Sequence, residues 1–87
     1  MSTVDLKEVE MKVKKTLSKF LNIDENQISL KQKLVEDLGL DSFASIELGF
    51  ELTDQTGVDI PDKDFINLKT IEDVVVYIHS HLPSKDA

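Results

Sequence analysis

The sequence predicts an all-α fold, a small bundle of three main helices plus one short helix, with a long loop between helices 1 and 2. Apolar residues recur at helical spacing in three separate stretches, and capping and stop residues bracket those stretches. The chain has 87 residues, of which 40% are hydrophobic and 31% charged, enough for one modest core and short for two domains.

Asp5 and Glu8 stand at capping-box spacing, and Val9, Val13, Leu17 and Phe20 then recur at helical intervals as the buried stripe of a first amphipathic helix. From Asn22 to Asp41 the pattern loosens. Polar residues are scattered among Ile23, Ile28, Leu30, Leu34, Leu38 and Leu40, which predicts a long loop pinned to the core by its aliphatic side chains. A loop of this length is functional or conceals a short helical turn. Gly39 and Asp41 precede a second helix from Ser42 to about Thr56, with Ile46, Leu48 and Leu52 for burial and Gly57 as its C-terminal stop. Pro61 prevents direct continuation, and Asp62 is placed to cap a short third helix through Phe65 and Leu68. Thr70 and Asp73 form a second capping-box start; Ile71, Val74, Val75, Ile78 and Leu82 follow as an apolar stripe, and Pro83 ends it. Val74, Val75 and Val76 in succession also suit a strand, but the spacing across the segment favours helix. One domain is expected over residues 1–87, its core over about 3–82.

Charge and composition exclude several functions. A net charge of −7 argues against nucleic acid or an anionic membrane as partner, since both attract basic surfaces. No apolar run approaches the ~20 residues of a spanning helix, so membrane insertion is not expected. Met1 leads into a charged amphipathic stretch without the pattern of a secretory signal, and a cytoplasmic setting fits. Without cysteine there is no disulfide framework, thiolate metal site or cysteine nucleophile, and any thiol the protein uses must be brought in. The acidity is also localised. Lys7, Lys12, Lys14, Lys15 and Lys19 outnumber Asp5, Glu8 and Glu10 in the first helix, whereas residues 41–64 carry seven acids against Lys63 alone.

The informative run is Val35-Glu36-Asp37-Leu38-Gly39-Leu40-Asp41-Ser42-Phe43, with Glu47-Leu48 downstream and Ile60-Pro61-Asp62 beyond. It resembles the acyl carrier protein family, strongly from about Leu34 to Leu82 and by pattern in the first helix. The resemblance implies that the Asp41-Ser42 pair opens the second helix and that 4′-phosphopantetheine, drawn from coenzyme A, is joined to the Ser42 hydroxyl. It implies a non-catalytic carrier of acyl thioesters serving fatty-acid, polyketide or related lipid biosynthesis. The expected partners are a phosphopantetheinyl transferase and the ketoacyl synthases, reductases, dehydratases and acyltransferases that dock through basic patches, with the carrier itself a monomer. The partner face is expected to comprise Phe43, Glu47, Gly49, Phe50, Glu51 and Asp54, and the acyl-chain cavity Ile46, Leu52, Ile60, Phe65 and Leu68.

The residues also admit blander readings. Ser42 at a loop-to-helix junction could simply be a helix cap, although capping leaves the flanking run unexplained and does not exclude modification. An enzyme nucleophile would need a base and oxyanion donors. Gly39-Leu40-Asp41-Ser42-Phe43-Ala44 is not the G-x-S-x-G elbow, and His79 and His81 lie far along the chain, two residues apart and so on different helix faces. The acids of residues 54–64 do not match an EF-hand loop, and no metal site is expected. Glu47 and Glu51, at (i, i+4), form a ridge that is either a solvated face or a docking surface. Two alternatives to the acyl carrier are a peptidyl or aryl carrier domain with the same arm, and a helical interaction module that is never modified. The chain departs from the family pattern at Phe43, where Leu is common, at Ala44, where another acid is common, and at Gly49, where a bulky aliphatic is usual; Gly49 and Phe50 are therefore expected to tune partner or cargo.

Overall fold

A computed structural model describes residues 6–82. Four helices appear among them: α1 (Leu6–Leu21), α2 (Ser42–Thr56), α3 (Asp62–Phe65) and α4 (Ile71–His81). They share a single buried apolar cluster, as the three stripes in the sequence require. Val9, Val13 and Leu17 of α1, Leu48 and Leu52 of α2, and Ile71, Val74, Val75 and Ile78 of α4 are its centre. Phe20 is only partly buried, and Thr16 completes the stripe by donating its hydroxyl to the Lys12 carbonyl, which satisfies an otherwise costly buried polar group. Asp5, part of the expected N-terminal capping box, and Pro83, the expected stop, lie outside the described residues.

The valine run of α4 is helical because its start is well specified. The Thr70 side chain accepts from the Asp73 amide, and the Asp73 carboxylate accepts in return from the Thr70 amide, closing a reciprocal capping box. At the far end of α2, Gly57 adopts φ 78°, the left-handed conformation in which a glycine carries no steric penalty. Asp62 is not the cap of α3. Pro61 occupies that position without a side-chain cap, and Asp62 is the first helical residue, because the locked φ of proline already directs the chain into the turn.

The connection from residue 22 to 41 is ordered by the core beneath it. It contains a 3₁₀ turn at Glu25–Gln27, and Ile28, Leu34 and Leu40 are buried. Its middle is also tied to the start of α4 by backbone bonds. Leu34 donates to the Lys69 carbonyl, while Ile71 and Glu72 donate to the carbonyls of Gln32 and Leu30. Lys33 and Thr70 form an isolated antiparallel bridge at this point. The loop thus supplies acceptors for amides that a helix N-terminus leaves without intrahelical partners. In return it is held where its last residue, Asp41, feeds directly into α2.

Candidate functional site

Asp41 and Ser42 divide the work of the helix start. Asp41 is extended and accepts the Ala44 amide on Oδ1 at 2.8 Å, so Asp41 is the cap and Ser42 the first helical residue. This corrects the reading of Ser42 as a cap. The Ser42 side chain is exposed, and among the described residues its hydroxyl takes no hydrogen-bond partner. The first turn also has no acidic residue. A negatively charged group joined to Ser42 would therefore meet the positive end of a helix, beside the Asp41 carboxylate, which is itself engaged on the Ala44 amide. The residues present fit a phosphodiester.

A cleft of about 700 Å³ opens beside Ser42, within the range of small-molecule pockets. Its apolar wall is made by Leu34, Val35, Leu40, Ile46, Phe65, Ile66 and Leu68, so it runs between the 22–41 loop, the start of α2 and α3. Of the five residues expected to line a cavity, Ile46, Phe65 and Leu68 do so. Leu52 and Ile60 do not line this cleft. They are buried in the core, because Leu52 continues the inward stripe of α2 and Ile60 anchors the chain ahead of α3. The sequence reading missed the loop residues Leu34, Val35 and Leu40 as lining, and Ile66 with them. Val35 and Ile66 are 63% and 69% exposed, an unusual position for such side chains, and they flank the cleft as an apolar rim. Their apolar character was visible in the sequence; the juxtaposition across the cleft was not.

Phe43, Glu47, Phe50, Glu51 and Asp54 are all exposed. At 3.6 residues per turn they fall within one arc of about 100° on α2, opposite the inward Leu48 and Leu52. Two phenylalanines at 70% and 69% exposure on an acidic face offer large apolar area without burial in the monomer. The row is not electrically uniform. Glu51 also lines a separate cleft between α1 and α2, together with Lys12, Lys15 and Lys19, so neighbouring cations offset its field. Gly49 does not belong to this face. It is buried, since it falls on the flank of the Leu48 and Leu52 stripe, on the same side of α2 as Ser42 and Ser45. A Cβ built on Gly49 would meet nothing within 4 Å.

His79 and His81 are exposed on α4, and neither lines the Ser42 cleft. His81 instead stacks on Tyr77, with ring centroids 4.0 Å apart, and its Nδ1 lies 2.8 Å from the Tyr77 carbonyl oxygen. The Tyr77 hydroxyl donates to Asp64 Oδ2 at 2.8 Å. This bond, followed by desolvation and the charges of Asp64 and Asp59, holds the Tyr77 hydroxyl above its ordinary pKa of 10.0. Neutral Tyr77 is the favoured form, so the stabilisation is present below pH 10 and is lost as pH rises through the elevated folded-state value. Tyr77 is the only tyrosine in the chain. Absorbance titration of the phenol should therefore report it alone, with a midpoint above 10 that moves back towards 10 in Asp64→Asn, where the carboxylate charge is gone.

Residues 12–78 match the family described as phosphopantetheine attachment site. The chain is also 44% identical over 71 residues to the acyl carrier protein of Phytoplasma australiense, an alignment covering 82% of this chain and 93% of that protein.

Proposed function

From the premise that the chain belongs to the acyl carrier protein family, we propose that Ser42 is the residue that holds 4′-phosphopantetheine and that the outer face of α2 is what partner enzymes read. The protein is an acyl carrier of fatty acid biosynthesis, with 4′-phosphopantetheine as its prosthetic group. The observation that carries the assignment to Ser42 is its exposed hydroxyl, released from capping by Asp41 and placed at the cleft beside it. When attached, the prosthetic group supplies the thiol that this cysteine-free chain lacks, and acyl groups ride on it as thioesters.

The protein's own residues position and deliver, without supplying a catalytic group. Asp41 fixes the first turn of α2, so the attachment point is held by a rigid element and not by a mobile loop. Ile46, Phe65 and Leu68, with Leu34, Val35, Leu40 and Ile66, offer an apolar surface on which an acyl chain can shelter from water. Phe43 and Phe50 supply aromatic anchors, and Glu47, Glu51 and Asp54 supply the charge that draws transferases, synthases, reductases, dehydratases and acyltransferases with basic patches. A carrier working in the cytoplasm as a monomer suits this shuttle. Among the described residues no helix is long and apolar enough to cross a membrane.

The deciding experiment is incubation of the unmodified protein with a phosphopantetheinyl transferase and coenzyme A, followed by intact-mass measurement. A gain of one phosphopantetheine is expected. No gain would leave the unmodified interaction module, and preferential loading with aminoacyl groups would favour the peptidyl carrier.

Gly49 is buried on the Ser42 side of α2 and does not line the cleft, so it bears on helix stability more than on docking. With open space where its side chain would be, Gly49→Ala should stabilise the domain by about 0.5–1 kcal/mol by restricting the unfolded chain and restoring helix propensity. Its melting temperature should rise by several degrees, about 4–8 °C per kcal/mol for a domain of this size. If the space serves cargo, Gly49→Val should in addition slow elongation of the longest acyl groups by a general synthase. Equal rates across an acyl series would confine the glycine to a stability effect.

A further inference from the structure

α3 is a helix of four residues, Asp62–Phe65, and a single turn has no stability of its own in water. Its position must therefore come from what holds it. Two anchors are visible. Phe65 is buried in the core at 3% exposure, on the inner side of the turn. On the side facing α4, Asp64 accepts the Tyr77 hydroxyl at 2.8 Å, across thirteen residues of sequence. The tyrosine is itself fixed, with its ring stacked on His81 at 16° between planes and packed against the core. Asp62, Phe65 and Ile66 of the same segment line the cleft beside Ser42. The element that walls the cargo cleft is thus tied to α4 by one side-chain hydrogen bond.

We propose that Tyr77 is a positioning residue for the cargo cleft: its bond to Asp64 holds α3 as the cleft wall and so sets how well a long acyl chain is sheltered. The proposal rests on the reading that acyl chains shelter in this cleft. The elevated pKa of Tyr77 agrees with a bond formed by the neutral phenol. Releasing the bond leaves Phe65 in place, so the domain stays folded while α3 opens more often. Chain length then matters, because a short acyl group does not reach the α3 wall and a long one depends on it.

The test uses two measurements on the full chain. Hydrogen exchange of the unloaded protein follows the amides of Asp64, Phe65, Ile66, Asn67 and Leu68, whose bonds to the carbonyls of residues 61–65 define α3 and the turn after it. Tyr77→Phe, which keeps the ring and removes only the hydroxyl, should raise their exchange roughly three- to ten-fold while leaving α1 unchanged. Asp64→Ala should do the same, Asp64→Asn should restore most of the protection because it keeps a carbonyl acceptor, and the Tyr77→Phe, Asp64→Ala double variant should be no worse than either single one. The second measurement is cleavage by neutral hydroxylamine of acetyl- and octanoyl-loaded protein, followed by intact mass. Wild type should protect octanoyl over acetyl, and Tyr77→Phe should lose most of that preference with acetyl cleavage unchanged. Unchanged α3 exchange in Tyr77→Phe overturns the proposal, as does raised exchange with an intact octanoyl preference. Equal cleavage of both thioesters in wild type overturns the sheltering reading instead, and the exchange measurement, made without cargo, tells the two failures apart.

Discussion

Replacing Ser42 with Ala is expected to abolish the phosphopantetheine mass gain completely while leaving the domain folded. The two halves of that expectation have separate physical grounds. Loss of the hydroxyl removes the only proposed attachment oxygen, so the effect on modification is all or none. Stability should change by a few tenths of a kcal/mol at most, because the cap belongs to Asp41 and the Ser42 hydroxyl has no partner among the described residues to lose. Asp41→Ala should show the opposite balance, costing about 1 kcal/mol of helix stability. The nearest competitor is Ser45, which lines the same cleft one turn further along α2 and is partly buried. Ser45→Ala should still gain one phosphopantetheine, and a Ser42→Ala protein that gains it would refute the assignment.

The helices were legible because their signals are local. Stripes at Val9, Val13 and Leu17 and at Ile71, Val74, Val75 and Ile78 specify inward faces, and the Thr70 and Asp73 pair marks a start that the structure realises bond for bond. The long connection was legible in part. Its aliphatic side chains announced that it would be pinned down, and Ile28, Leu34 and Leu40 are indeed buried. Its 3₁₀ turn is local, a short helical turn of the kind so long a loop can conceal, but its bridge to Thr70 depends on backbone groups meeting across more than thirty residues, for which spacing along one chain carries no signal.

The same distinction separates the parts of the site. Asp41 and Ser42 are sequence neighbours at a helix start, so the proposed attachment point could be named from the sequence alone. Which of the two caps could not, because Asp and Ser are near-equal in capping preference and the outcome turns on one φ and ψ. The cleft is a non-local object. Leu52 and Ile60 fit a cavity as well as Ile46 and Phe65 do when judged by apolar character, and only the placement of the loop against α3 shows that Leu34, Val35, Leu40 and Ile66 make the wall instead. Gly49 illustrates the limit most clearly. Its position between exposed Phe50 and buried Leu48 left its facing ambiguous in the sequence, and a rotation of 100° per residue decides it.

Reversing Glu47 and Glu51 to Lys is expected to slow association with basic partner enzymes by about ten-fold or more at low salt, with little change in the rate of dissociation or in melting temperature. The direction follows from an acidic row beside the proposed attachment point on a protein of net charge −7. Stability should be nearly untouched, since both side chains are exposed and neither forms an ion pair among the described residues. The two positions should not contribute equally. Glu51 shares its cleft with Lys12, Lys15 and Lys19, whose charge already weakens its field, whereas Glu47 lines neither of the two clefts. Glu47→Lys alone should therefore account for most of the loss, and Glu51→Lys mainly extends the basic stripe of α1. Raising ionic strength should mimic the reversal in wild type, because the screening length falls from about 10 Å at 0.1 M to about 3 Å at 1 M. Phe43→Ala should act differently, raising dissociation at every salt concentration, as expected of an aromatic anchor that makes contact only after encounter. Stopped-flow association with a phosphopantetheinyl transferase or a synthase carrying a basic patch, measured across a salt series, separates these effects. Association rates insensitive both to salt and to the reversals would reduce the row to a solvated face, while leaving Ser42 and the cleft as they stand.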